Sequence, residues 1–252
     1  MDTTRSIALG LIQGLTEFFP ISSSAHLLLL RALFPLGEAS LSLDVLLHGG
    51  TWIAVLLVFT PFISRVLRRP AILGKVILAT IPAGIFGYFF EEEVERMFRG
   101  NLFIVSGTLL FVGCVFLFVR ERGNKTLETT TTKDAFLIGL SQALALIPGV
   151  SRSGITILVG IGLGLQQAEA VLFSFLLSLT TIGGAVILIL AKHAQEALSF
   201  RDAFPGFMAA LGSGTFSCVV LLRLVRERGL APFGYYRIIV GALFLVFLLL
   251  RT

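Results

Sequence analysis

Charge is scarce in this chain. Only 14% of its 252 residues are Asp, Glu, Lys or Arg, 56% are hydrophobic, and the mean hydropathy is +0.94. A water-soluble chain of this length would lack the polar surface to cover itself, whereas a bilayer supplies an apolar solvent; the composition excludes a soluble globular domain and predicts a polytopic α-helical membrane protein. Cysteine is nearly absent too. Cys114 and Cys218 both lie inside apolar runs, which excludes a disulfide framework or a metal knuckle and predicts two packing residues. No Walker loop or other soluble phosphate-binding motif occurs. The stretch from Asp2 to Gln13 lacks the basic region and cleavage site of a signal peptide, so the first segment is expected to be retained. The net charge of +5 and the pI near 9.7 do not imply nucleic acid, because the cations sit in short loops between apolar runs and read as topology determinants.

Apolar runs of spanning or near-spanning length lie at about 45–63, 71–90, 102–119, 171–191, 204–222 and 235–250, which predicts six transmembrane helices. The regions 5–34 and 134–165 differ, since each carries a Pro/Gly/Ser break between two arms short for crossing. Each reads as a re-entrant helix pair, tolerated only where the broken backbone is buried in protein or lines a wet cavity. The two breaks correspond. A shift of 129 positions lays Gln13 on Gln142, Ser22 on Ser151, Ser23 on Arg152 and Ser24 on Ser153. The chain therefore reads as a duplication, with repeats at about 1–123 and 133–252 in a single membrane domain, joined by the short linker Lys125–Lys133. The odd number of spans between the breaks inverts the second repeat, an arrangement in which interrupted helices mark an anion site. Loops holding Arg65, Arg68, Arg69, Lys75, Arg120, Arg122, Lys125, Lys133, Arg223, Arg226 and Arg228 are placed in the cytoplasm, and the acidic run Glu91-Glu92-Glu93-Val94-Glu95 in an outer loop as a solvated face.

The inserts gather groups suited to phosphate. A helix restarting after Pro20 or Gly149 brings Ser22, Ser23, Ser24, Ser151 and Ser153, with the backbone N–H groups near Gly149 and Gly154, toward one anion at the positive ends of two helix dipoles; taken singly, each serine also reads as a simple cap. Arg152 is expensive amid hydrocarbon, about 2.5–3.5 kcal/mol at the bilayer centre, and so should face a partner or a pathway. Its fork suits two phosphate oxygens, and the competing reading is a structural ion pair with Glu17. Glu17 shares a helix face with Gln13, and a carboxylate and an amide oxygen beside a diphosphate suit a hard cation, Mg²⁺ or Ca²⁺. His26, one turn after Ser22, is placed to act as base, acid or nucleophile. His48 either lines the same cavity with the substrate-binding serines or caps the span beginning there. His193 reads as solvated.

These residues resemble a known family, the undecaprenyl-diphosphate phosphatases of the bacitracin-resistance type. The likeness runs through nearly the whole chain and is carried by Gln13-x-x-x-Glu17, Pro20-Ile21-Ser22-Ser23-Ser24-Ala25-His26, Pro148-Gly149-Val150-Ser151-Arg152-Ser153-Gly154, Phe173-Ser174-Phe175-Leu176-Leu177-Ser178 and Tyr236-Arg237-Ile238. The resemblance implies an integral enzyme of the bacterial plasma membrane. Such an enzyme removes the terminal phosphate of a C55 polyprenyl diphosphate at the outer face, recycles the lipid carrier for cell-wall synthesis and confers bacitracin resistance. It further implies dependence on a divalent metal, with Glu17, Ser23, His26 and Arg152 at catalytic positions. Three positions depart from the family pattern: Gln13 stands where many relatives have Glu, Ala25 where Gly commonly precedes the histidine, and Thr180 where Pro often follows the serine-rich run. In the mechanism this implies, Arg152 neutralises the oxygens, Glu17 orients the metal with Gln13 beside it, and Ser23 or His26 attacks phosphorus. Ser23 is preferred, with His26 accepting its proton. The partners expected are the lipid substrate and the bilayer, with no nucleic acid, and assembly as a homodimer stays open. A transporter or flippase of a polyprenyl phosphate, using the same anion site, is the alternative.

Overall fold

With no water to satisfy exposed N–H and C=O groups, apolar sequence in a bilayer closes its hydrogen bonds locally, and helix is the outcome throughout this chain. The computed structural model describes residues 3–34, 41–98, 101–120, 123–192 and 200–251, so His193 lies outside the described residues. The helices are α1 (Thr3–Phe18), α2 (Ser23–Leu33), α3 (Leu41–Leu67), α4 (Pro70–Phe98), α5 (Leu102–Phe118), α6 (Thr132–Ser141), α7 (Arg152–Gly162), α8 (Gln167–Lys192), α9 (Phe200–Arg228) and α10 (Ala231–Leu249). A tighter 3₁₀ segment, Gln142–Leu146, continues α6.

Five helices, α3, α4, α8, α9 and α10, hold stretches long and apolar enough to cross a membrane. The run at 102–119 folds as α5 with 17 residues. That is about 26 Å of helix, short of a hydrocarbon core of about 30 Å. The two interruptions fall where the sequence places them, at Phe19–Ser22 and Ile147–Ser151. The interval of 129 recurs in the helix bounds, since α1 and α6 begin at Thr3 and Thr132, α2 and α7 at Ser23 and Arg152, and α5 and α10 at Leu102 and Ala231.

Small residues set where α1 lies. Ser6, Gly10 and Gly14 face Gly206, Ser213 and Ser217 of α9 so closely that a Cβ at Gly10 or Gly14 would collide with the α9 backbone. Small faces of this kind let helices approach where lipid offers no hydrophobic drive between them. Serines close the seam: Gly206 N donates to Ser6 Oγ at 3.1 Å, and Ser217 Oγ donates to the Gly14 carbonyl at 2.9 Å. At the end of α1 the buried Phe18 packs edge-on against Phe175 of α8, with ring centroids 5.6 Å apart. Gln13 and Glu17 thereby lie buried on a helix packed against α9 and α3.

Several expectations are corrected. The acidic run does not form a loop; the α4 backbone continues through it to Phe98, with Glu93 exposed. The stretch 125–133 is tied down: Lys125 N donates to Gly164 O, Gln166 N donates to Lys125 O, and Lys125 Nζ lies 2.8 Å from Asp134, whose carboxylate completes a capping box with Thr131. Cys218 is buried as a packing residue, whereas Cys114 is exposed on α5. Thr180 leaves α8 unbroken, its hydroxyl lying 2.6 Å from that of Thr80.

Candidate active site

Both breaks end in the same unusual residue conformation. Ser22 and Ser151 are the only non-glycine residues with positive φ among those described, 73° and 74°, and each caps the helix that follows. Such backbone persists only where surrounding contacts over-determine it, and it concentrates at functional sites. Ala25 N donates to Ser22 Oγ at 3.4 Å and Gly154 N to Ser151 Oγ at 3.1 Å, so these two serines serve as caps. Their hydroxyls each lie 3.2 Å from that of the serine two residues on, Ser24 and Ser153. Ser153 Oγ, buried, also approaches the Glu17 and Phe19 carbonyls at 3.4 and 3.3 Å, tying the second break to the first. Ser23 is half-buried and Ser24 exposed, which leaves these two open to a ligand. Gly149 holds φ 99°, and its carbonyl is engaged by Arg237.

The first residues of α2 and α7 meet at one carboxylate. Ser23 Oγ donates to Glu17 Oε2 at 2.7 Å, and Arg152 Nη2 donates to Glu17 Oε1 at 2.9 Å. Arg152 Nη1 donates to the Ser174 carbonyl at 3.3 Å, and Ser174 Oγ is held by Thr156 at 2.8 Å, so the serine of the Phe-Ser-Phe run orients the guanidinium. Gln13 Nε2 donates to Glu17 Oε2 at 3.0 Å. Since a carboxylate accepts only, the amide nitrogen faces it and Gln13 Oε1 points elsewhere, buried without a partner. His48 Nε2 stands 3.9 Å from Glu17 Oε2. His48 lies well inside α3, which begins at Leu41, and so does not cap that helix; its ring stands beside Glu17.

His26 is engaged elsewhere. Its Nδ1 lies 2.7 Å from the Ser22 carbonyl and its Nε2 2.9 Å from the Tyr236 hydroxyl, with the two rings stacked 5.6 Å apart. A carbonyl has no proton to give, so Nδ1 carries the hydrogen and the neutral ring accepts from Tyr236 at Nε2. The proton of Ser23 is therefore directed at Glu17 and not at His26.

One side chain at the site enters the sequence reading only as part of a motif, with no role given to it. Arg237 of α10 is wholly buried, donating from Nη1 to the Pro20 carbonyl at 2.9 Å and from Nη2 to the Gly149 and Val150 carbonyls, with its guanidinium 5.3 Å from the Phe116 ring. Pro20 and Gly149 are equivalent across the 129-residue interval, so one guanidinium fastens both breaks at matching carbonyls. The signal was present, an arginine inside the apolar run 235–250, and the reasoning applied to Arg152 covers it equally.

Chemically, two helix N-termini, a guanidinium and a hydroxyl already bonded to a carboxylate form a setting for an anionic phosphorus centre. Among the described residues no three His, Cys, Asp or Glu side chains cluster as metal ligands. The Glu17 carboxylate is the one acidic group a hard cation could use here, with its remaining ligands from substrate and water, whereas Gln13 turns its amide nitrogen and not its oxygen toward it.

Known proteins bear the same arrangement of sequence. The chain is 39% identical over 264 residues to the undecaprenyl-diphosphatase of Caldicellulosiruptor bescii, with 100% of each chain covered. It is 38% identical over 261 residues to that of Carboxydothermus hydrogenoformans, covering 98% of this chain and 97% of the relative. The likeness to the undecaprenyl-diphosphatase of Thermodesulfovibrio yellowstonii is 41% over 241 residues, 92% of each. Residues 6–243 match the family described as bacitracin resistance protein BacA, and with the family model and the relatives in agreement the chain belongs to that family.

Proposed function

We propose that this protein hydrolyses undecaprenyl diphosphate to undecaprenyl phosphate and inorganic phosphate, recycling the lipid carrier for cell-wall synthesis. The observation that carries the reading is the Glu17 carboxylate bonded at once to the Ser23 hydroxyl and the Arg152 guanidinium, in a chain similar over its length to undecaprenyl-diphosphatases. The prenyl tail stays in lipid while the diphosphate occupies the polar cavity between the breaks. Arg152, held by Ser174, turns its fork to the terminal phosphate oxygens. Ser23 Oγ gives its proton to Glu17 Oε2 and attacks the terminal phosphorus; the bridging P–O bond breaks, prenyl phosphate leaves, and water then cleaves the phosphoserine. His26 is fixed by Ser22 and Tyr236 near the same helix start, with Nδ1 directed at a carbonyl. Ser24 and the backbone at the starts of α2 and α7 add donors to the phosphate. Glu17 would hold a divalent cation, whose contribution is to neutralise the oxygens of the diphosphate.

The same reading makes the fold an inverted repeat of about 1–123 and 133–252, with α5 as a short sixth span and the α1–α2 and α6–α7 pairs as re-entrant elements. The recurring helix bounds and the paired Ser22 and Ser151 conformations support it. The cation-rich loops lie in the cytoplasm and the cavity opens to the outer face of the plasma membrane. The test is direct: purified protein in detergent, given farnesyl diphosphate and a divalent cation, should release inorganic phosphate, and Ser23→Ala should not. A wild-type protein that binds the diphosphate without releasing phosphate would transfer the site to lipid translocation.

A further inference from the structure

We propose that Tyr236 is a positioning residue of this site, acting through His26 to brace the strained turn that aims the Ser23 hydroxyl at Glu17. The proposal rests on the hydrolytic reading above and deepens it, placing His26 in the geometry of the nucleophile and not in a step at phosphorus.

The contacts form one line. Tyr236 Oη donates to His26 Nε2 at 2.9 Å with the two rings stacked, and Nδ1 of His26 donates to the Ser22 carbonyl at 2.7 Å. Ser22 holds φ 73°, a conformation that persists only where its surroundings impose it. The next residue is Ser23, whose hydroxyl lies 2.7 Å from Glu17. Both nitrogens of His26 are thus spent on the turn, which leaves neither for the Ser23 proton.

The repeat supplies an internal control. Across the interval of 129, Ser22 corresponds to Ser151, Ser23 to Arg152, His26 to Ile155 and Tyr236 to Gly107. The second break has the same strained serine, φ 74°, and neither side chain to brace it. Carbonyl anchoring is common to both breaks, since Thr108, the counterpart of Arg237, lies 2.7 Å from the Pro148 carbonyl. The histidine and tyrosine are added only at the break that carries the Ser23 hydroxyl. The turn therefore forms without the brace, as Ser151 shows, and what the brace adds is precision at Ser23, where a misplacement of about 1 Å can cost about 100-fold in rate.

The experiment follows phosphoserine formation in quenched single turnovers of full-length protein in detergent with farnesyl diphosphate. Tyr236→Phe, which keeps the ring stack and loses only the hydroxyl of a residue 41% exposed, should form phosphoserine about tenfold more slowly with KM little changed. His26→Asn, whose amide can donate to the Ser22 carbonyl but cannot take up a proton, should stay within about tenfold of wild type. His26→Ala should lose about 100-fold, and imidazole in solution should not restore it. His26→Asn as inactive as His26→Ala would overturn the proposal, and recovery of His26→Ala by imidazole would make the ring a proton carrier instead. Phosphoserine formation at the wild-type rate in Tyr236→Phe would leave the tyrosine without its role while hydrolysis stands. A wild type that releases no phosphate would remove the hydrolytic reading, and the proposal with it.

Discussion

Arg152 joins two acceptors of different kind, the Glu17 carboxylate and the Ser174 carbonyl, and this geometry distinguishes a guanidinium from a point charge. Lysine at 152 keeps the charge but cannot make two contacts in one plane. Arg152→Lys should stay folded in detergent and lose activity on the order of 10²-fold, read as phosphate release from farnesyl diphosphate; near-normal turnover would make Arg152 a structural residue. Glu17→Gln should abolish cation-stimulated hydrolysis while substrate still binds through Arg152, and an unaltered metal titration would remove Glu17 from the cation site. The nucleophile is tested separately. Because the Ser23 hydroxyl lies 2.7 Å from Glu17 and both His26 nitrogens are engaged by Ser22 and Tyr236, quenched turnovers should contain acid-stable, base-labile phosphoserine. Acid-labile phosphohistidine would reassign the attack to His26.

Among the helices, α1 is the one whose position the site depends on most, since it carries both Gln13 and Glu17. Its seam with α9 has no room for added volume at Gly10 or Gly14, whereas a Cβ at Gly84 on α4 meets nothing within 4 Å. Gly14→Leu should therefore displace α1 and cost both thermal stability and activity, while Gly84→Ala leaves both near wild type, as measured by melting in detergent and by phosphate release. The sequence makes the breaks legible because serines, a proline and a glycine stand out against hydrocarbon, and the repeat doubles the signal. Other features are illegible for identifiable reasons. Arg237 itself stands out in an apolar run, but its carbonyl partners are recorded by no side-chain pattern, and the Tyr236 contact to His26 depends on α10 reaching a residue 210 positions earlier in the chain. The acidic run reads as a loop by charge, yet nothing in Glu91-Glu92-Glu93-Val94-Glu95 breaks a helix, and α4 continues through it.

At the scale of the whole molecule, the proposed inversion predicts an external signature. In a background without Cys114 and Cys218, single cysteines at the exposed Lys133 and at Glu92 should label from opposite membrane faces, Lys133 from the cytoplasm; labelling of both from one face would refute the inversion. The two halves are also mechanically joined, because Arg237 satisfies carbonyls of both breaks. Arg237→Ala leaves those buried acceptors without donors and should destabilise the protein by about 3 kcal/mol, seen as a lowered Tm with activity lost in parallel.

The same guanidinium bears on how the protein is made. Arg237 follows Ser23 by 214 positions, so until the ribosome has added it the Pro20 carbonyl of the first break has no guanidinium to meet. Only when α10 leaves the insertion machinery does one side chain close both interruptions. Completion of the candidate site thus waits on α10, and a nascent chain halted before it should lack the finished site.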